Sequence, residues 1–161
     1  MILNRQRGIR VPMRKLEDFA REARRALRLP EDSFAVCLVS DAEIARWNKA
    51  YRGKNKATDV LSFPANEEAS RNGMWGKTEQ RTRGERRAVS RSETQEKYLG
   101  DIAIAPAVAR RNALRFGRTF EQEMRILIVH GMLHLMGYDH ETDDGEMDRK
   151  ERRLRRALKL E

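Results

Sequence analysis

The sequence is poor in cysteine and in long hydrophobic runs. Cys37 is the single cysteine among 161 residues, so no intrachain disulfide can form and we expect a reducing, cytoplasmic location. The longest apolar stretch, residues 102–109, contains a proline and is far shorter than the ~20 residues that a membrane span requires. The first ten residues also lack the apolar core of a secretory signal. We therefore predict a cytoplasmic protein without a membrane partner.

Apolar residues are also scarce overall. They make up 39% of the chain, against 37% for charged residues, so the core must come from patterned segments. A chain of this size buries roughly 70% of its unfolded surface, which is enough for one domain without disulfides.

Positive charge is concentrated near the N-terminus. The chain has a formal net charge of +9, and residues 1–30 hold nine basic and three acidic side chains. A basic face suits a polyanion, because each Lys or Arg that neutralises a phosphate releases condensed counterions. A solvated helix face is the alternative, so a nucleic-acid partner requires a second, independent signal.

Hydrophobic periodicity, capping residues and Pro or Gly positions predict alternating helices and strands. We expect helices from 13 to Pro30, at 41–52, at 106–116, from 119 through the first two histidines, and from 142. We expect strands at 34–39, 60–63 and 98–104. Residues 67–97 contain no Ile, Leu or Phe and are expected to form a mobile polar insertion. With one hydrophobic nucleus and no internal repeat, an α/β or α+β arrangement is favoured. We predict a single α+β domain over residues 1–161, with a small mixed sheet of about four strands and about five helices.

All three histidines, His130, His134 and His140, lie in the run HGMLHLMGYDH. The first two are one helical turn apart, about 40° around the axis, so both imidazoles leave the same helix face. A continued helix would rotate the third about 240° away. Gly137 can end the helix in a left-handed conformation and turn the chain back. Three imidazoles leave the fourth tetrahedral position of Zn²⁺ for water, which is typical of a catalytic site, so we predict one zinc ion held by three histidines plus water.

The pattern H-x3-H-x2-G-x2-H matches the metal-binding skeleton of the metzincin proteases, except that Gly131 stands where those enzymes carry the glutamate general base. Its absence disfavours a zinc peptidase, which stays an alternative. A phosphodiester needs mainly a cation opposite the developing phosphorane charge, so the pattern favours a nuclease.

Three segments together resemble the YbeY family of bacterial rRNA-maturation endoribonucleases: HGMLHLMGYDH, YRGKNKATDVLSFP at residues 51–64, and LGDIAIAP at residues 99–106. The resemblance implies a single-strand-specific, zinc-dependent endoribonuclease involved in 16S rRNA 3′-end maturation and ribosome quality control. It implies single-stranded RNA, rRNA and the small ribosomal subunit as partners, with ribosomal proteins or a GTPase as further candidates. The family's zinc ligands fall on His130, His134 and His140, and its arginine implicated in activity falls on Arg52.

The residues around these motifs suggest further roles. The guanidinium of Arg52 stays charged and its fork of donors matches phosphate oxygens, so we predict that it holds the scissile phosphate. The alternative is a cation at a helix C-terminus. Lys54 and Lys56 are predicted to bind substrate by extending the phosphate track, with solvated loop lysines as the alternative. Asp139 and Glu141 flank the third histidine and are candidates for orienting an imidazole or moving a proton, with turn formation as the alternative.

A non-catalytic function is the remaining alternative. In that hypothesis the protein is an rRNA-binding ribosome assembly factor whose zinc is structural.

Overall fold

The computed structural model describes residues 1–65 and 98–160, where the chain forms four strands and five helices. The strands are β1 Ile2–Asn4, β2 Phe34–Leu38, β3 Val60–Pro64 and β4 Gly100–Ile104. The helices are α1 Met13–Ala26, α2 Asp41–Arg52, α3 Pro106–Arg115, α4 Phe120–Leu135 and α5 Glu146–Ala157. The predicted insertion at 67–97 lies outside the described residues.

The strands form one mixed sheet in the order β1-β2-β4-β3. Strands β1, β2 and β4 are parallel. Strand β3 runs antiparallel to β4, with Val60 opposite Ile104 and Pro64 opposite Gly100. The predicted α+β fold with a small mixed sheet and five helices is therefore confirmed. β1 was not among the predicted strands, because three residues with one buried side chain, Ile2, carry too little periodicity.

Helices cover both faces of the sheet, because the side chains of a strand alternate between the faces. On one face α2 places Ile44 and Trp47 against Leu61 and Phe63, and the buried thiol of Cys37 joins this cluster. On the other face α1, α4 and α5 form the larger core, which includes residues of β2 and β4. The sheet is thus buried on both sides.

Several basic side chains of the N-terminal segment have partners within the protein. Arg5 pairs with Glu43 of α2, and Lys15 pairs with Glu121 of α4. Arg24 is buried, donates to the Phe34 carbonyl at 2.9 Å and has its guanidinium 4.0 Å from the centre of the Phe34 ring. Part of this charge therefore stabilises the fold.

Local residues determine where helices α3 and α5 begin. α3 begins at Pro106, as predicted. α5 begins at Glu146 rather than near Thr142, because Asp143 accepts from the backbone N–H groups of Gly145 and Met147 and forms the turn before the helix.

Every helix within residues 1–65 and 98–160 is too short or too polar to span a lipid bilayer.

Candidate metal centre

Helix α4 presents the first two histidines. It starts with the predicted capping box, in which the Thr119 hydroxyl accepts from the Gln122 N–H at 3.1 Å and the Gln122 side chain accepts from the Thr119 N–H at 2.9 Å. Ten of its sixteen residues are buried, so the helix is fixed against the sheet. His130 and His134 lie one turn apart near its C-terminal end.

A left-handed glycine then turns the chain back. Gly137 has a φ of 93°, the conformation predicted for it. Asp139 stabilises the turn that follows, because its side chain accepts from the Glu141 N–H at 3.0 Å and its carbonyl from the Asp143 N–H at 3.0 Å. His140 is thereby brought beside the two helical histidines.

The three imidazoles fit one small cation. Their ring centres are 4.7, 5.6 and 5.3 Å apart, and one ligand atom from each lies within 4.8 Å of the others. The Nε2 atoms of His130 and His134 are 3.1 Å apart. Two nitrogens bound to one tetrahedral zinc at its usual bond length are about 3.3 Å apart. The histidines can therefore hold a metal ion with small side-chain shifts.

The protonation of His134 suits this arrangement. Burial, together with the neighbouring charges of His130 and His140, lowers the pKa of His134 below its ordinary value. A neutral imidazole keeps the lone pair that a metal requires.

Glu151 of α5 orients the first histidine. Its Oε2 lies 3.0 Å from Nδ1 of His130, so the hydrogen bond directs Nε2 towards the other two rings. Glu151 is 8% exposed and also pairs with Arg155. Burial alone would raise the pKa of Glu151, but the hydrogen bond with His130 and the charges of His130 and Arg155 bring it below its ordinary value. The carboxylate is therefore ionised where it supports the imidazole.

Sequence reasoning missed Glu151, although a signal exists. It lies four residues after Met147 and three before Leu154, both buried, so it falls on the apolar face of an amphipathic helix. A carboxylate on a buried face requires a partner.

The three histidines line a cleft of about 650 Å³. Strand β3 and the end of α2 also line it. Arg52 lies there with its Nη2 3.2 Å from Oε1 of Glu141, and the two side chains are 39% and 58% exposed. The Ser62 hydroxyl donates to the Gly131 carbonyl at 3.2 Å, which ties β3 to α4 beside the metal centre.

Not every predicted substrate contact reaches this cleft. Lys54 and Lys56 are exposed on the loop after α2, and neither is among the described residues that line it. The described residues that line the cleft include none from positions 1–50, so the basic N-terminal segment does not line it. Arg52 therefore lines the same cleft as the three histidines, whereas Lys54 and Lys56 lie outside it.

A profile of the family Endoribonuclease YbeY matches residues 1–159. The chain belongs to this family. The Endoribonuclease YbeY of Aquifex aeolicus is 39% identical over 140 residues, covering 87% of this chain and 77% of the relative. That of Koribacter versatilis is 36% identical over 160 residues, covering 99% and 86%. The solution structure of TM1509 from Thermotoga maritima superposes with a TM-score of 0.58 at 28% identity, covering 98% and 89%.

Family membership confirms two of the predictions made from sequence. The chain is a member of the predicted family, and it is an endoribonuclease, so its substrate class is RNA. The predicted metal site is supported at the level of a three-histidine group that can hold an ion.

The packing around position 131 leaves no room for the glutamate that a metzincin peptidase carries there. Gly131 is buried where α4 meets β4, and a Cβ there would lie 2.7 Å from Cγ2 and 3.0 Å from Cδ1 of Ile102. A glutamate side chain would clash with the sheet and bury an unpaired charge. The helix approaches the sheet this closely because position 131 has no side chain.

Proposed function

We propose that the chain is a zinc-dependent, single-strand-specific endoribonuclease that matures the 3′ end of 16S rRNA and contributes to ribosome quality control in the cytoplasm. In this proposal His130, His134 and His140 bind the metal and Arg52 is catalytic. One observation carries it: three imidazole ligand atoms within 4.8 Å of one another open into the cleft that Arg52 lines.

The donor set fits zinc. Three imidazoles and a carboxylate behind one of them are typical of catalytic zinc centres. When bound, the ion supplies positive charge opposite the charge that develops on the phosphodiester, and an open coordination position. Glu151 keeps the His130 ring in place, and the loop after Gly137 supplies His140.

Arg52 can exchange its partner for substrate. Its ion pair with Glu141 is exposed and is worth at most about 1 kcal/mol. A phosphate offers the guanidinium two parallel, charge-assisted hydrogen bonds, which are stronger. Arg52 would then donate to the nonbridging oxygens of the scissile phosphate and stabilise their growing charge.

The size of the cleft supports an unpaired strand as substrate. A volume of about 650 Å³ is typical of sites that enclose a small organic ligand. It suits a short unpaired segment whose bases can be splayed apart. Lys54 and Lys56 would contact phosphates that lie beyond the cleft, and rRNA in the small ribosomal subunit would supply such a strand, with ribosomal proteins or a GTPase as candidate partners.

A comparison of variants on one labelled, single-stranded RNA tests the proposal. His134→Ala should lose both the metal and cleavage. Arg52→Ala should keep the metal and lose cleavage by about 100-fold or more, because removing one donor to a developing negative charge costs that much in other enzymes. Arg46→Ala, which removes an exposed arginine from the same helix, is the matched control and should cleave like the wild type. Annealing a complementary strand should suppress cleavage.

Four outcomes would contradict parts of this proposal. Cleavage that survives both a chelator and His134→Ala would exclude the metal mechanism. Equal loss of metal in Arg52→Ala would give Arg52 a structural role. RNA binding with a steep salt dependence, but without chelator-sensitive cleavage, would favour the assembly factor. Metal-dependent cleavage of a protein substrate would favour the peptidase.

A further inference from the structure

The end of α3 exposes two large apolar side chains within a run of arginines. Residues 110–118 read RRNALRFGR, with four arginines and no acidic residue. Leu114 is 79% exposed and Phe116 is 53% exposed. We call Arg110, Leu114, Arg115, Phe116 and Arg118 the α3 platform. An exposed aromatic ring flanked by arginines is a candidate interaction site.

Two guanidinium groups lie next to the exposed ring. The Cζ atoms of Arg115 and Arg118 are 5.5 and 5.1 Å from the centre of the Phe116 ring. Arg118 is held in place by Glu123, which is buried, at 2.8 Å. Aromatic rings and guanidinium planes are the surfaces on which unpaired bases stack.

The platform also carries positive charge that the protein does not neutralise. Arg111 pairs with Asp41 at 2.9 Å, and Arg118 pairs with Glu123. Arg110 and Arg115 form no ion pair with any acidic side chain in the described part of the chain. Two arginines without an ion pair, of which Arg115 lies beside the exposed ring, favour a polyanion over a neutral or basic protein surface.

A hydrogen bond connects this helix to the metal cleft. The Asn112 side chain donates to Oδ2 of Asp59 at 2.9 Å, and Asp59 lines the cleft. Phe116 follows Asn112 by one helical turn, about 6 Å along the axis. A strand that leaves the cleft beside Asp59 therefore needs only a short further segment to reach the platform.

We propose that the α3 platform is a second RNA contact, at which an unpaired base stacks on Phe116 while neighbouring phosphates pair with Arg110 and Arg115. This inference rests on the proposed function, since it extends the path of the strand that the metal cleft would cut. The platform adds affinity for the strand outside the scissile bond.

Binding to a labelled single-stranded RNA, followed by fluorescence anisotropy in the presence of a chelator, tests the inference without cleavage. Phe116→Ala and Phe116→Leu should weaken binding about fivefold or more, because stacking on an aromatic side chain is lost, whereas Phe116→Trp should bind like the wild type. Arg110→Ala and Arg115→Ala should each lower the slope of log K against log salt by about 0.7. Arg153→Ala on α5 is the arginine control and should leave affinity and slope unchanged.

The outcomes separate this inference from the proposed function. Unchanged affinity in Phe116→Ala would overturn the platform, even if the wild type cleaves RNA. Wild-type affinity in Phe116→Leu with loss in Phe116→Ala would overturn base stacking and indicate a general apolar contact with the RNA instead. Loss of affinity in both variants, in a protein that cleaves no RNA, would support the platform and contradict the proposed nuclease.

Discussion

Replacing Glu151 should weaken metal binding although this residue is not a predicted ligand. Its Oε2 lies 3.0 Å from His130 Nδ1, and the side chain is almost fully buried. Losing the partner behind a ligating histidine typically costs about 10–100-fold in metal affinity. Glu151→Gln keeps a carbonyl acceptor but loses the charge, so about tenfold weaker zinc binding is expected. Glu151→Ala loses both and should approach about 100-fold, or about 2.7 kcal/mol.

Competition with a chromophoric zinc chelator measures these affinities on the folded protein. Asp148→Asn is the matched control, because it removes an exposed carboxylate from the same helix and should bind zinc like the wild type. Circular dichroism checks that each variant is folded. A folded Glu151→Ala variant with wild-type zinc affinity would refute the role given to this carboxylate.

Three further predictions concern packing, the cleft and the thiol. Gly131→Ala should lower the free energy of unfolding by about 1–3 kcal/mol, because the added methyl group would clash with Ile102. Denaturant titration measures this loss. Most of it should disappear in an Ile102→Ala background, which lacks the contacting atoms. Glu141→Gln should free Arg52 and lower KM for single-stranded RNA by up to about fivefold; an unchanged KM would show that the ion pair does not compete with substrate. Burial raises the pKa of the Cys37 thiol from 9.0 to about 12, so a thiol reagent at neutral pH should react only on unfolding. The same shift makes the folded state lose stability as the pH rises from 9.0 towards about 12, a loss that Cys37→Ala should lack.

The histidine turn was predictable because its determinants are local. One helical turn separates His130 from His134, and Gly137 can adopt the positive φ that reverses the chain. The capping box at Thr119 likewise involves neighbours in sequence. Such features depend on a few consecutive residues, so the sequence contains all the information that they require.

Contacts between distant segments were not predictable in this way. Arg52 meets Glu141 across 89 positions, and Asn112 meets Asp59 across 53. Pairing of β1 with β2 depends on the whole sheet, because β1 has only three residues. These arrangements follow from packing, which a single sequence does not specify position by position.

The N-terminal charge illustrates the same limit. Counting residues indicated a basic face, but a count ignores partners within the fold. Arg24 is buried against Phe34, and Arg5 and Lys15 pair with acidic side chains of other helices. In the shorter arginine run of α3, Arg111 and Arg118 form ion pairs and Arg110 and Arg115 form none in the described part of the chain, which the structure alone reveals.

Zinc titration of the metal-free protein, with cleavage of a single-stranded RNA followed at each step, tests whether the three-histidine site drives the reaction. We expect no cleavage without metal, a rise in proportion to bound zinc, and a plateau at about one ion per chain, because the chain has one three-histidine site. His134→Ala should stay inactive throughout. Cleavage by the metal-free protein, or equal cleavage by His134→Ala, would show that this metal site is not the catalytic centre.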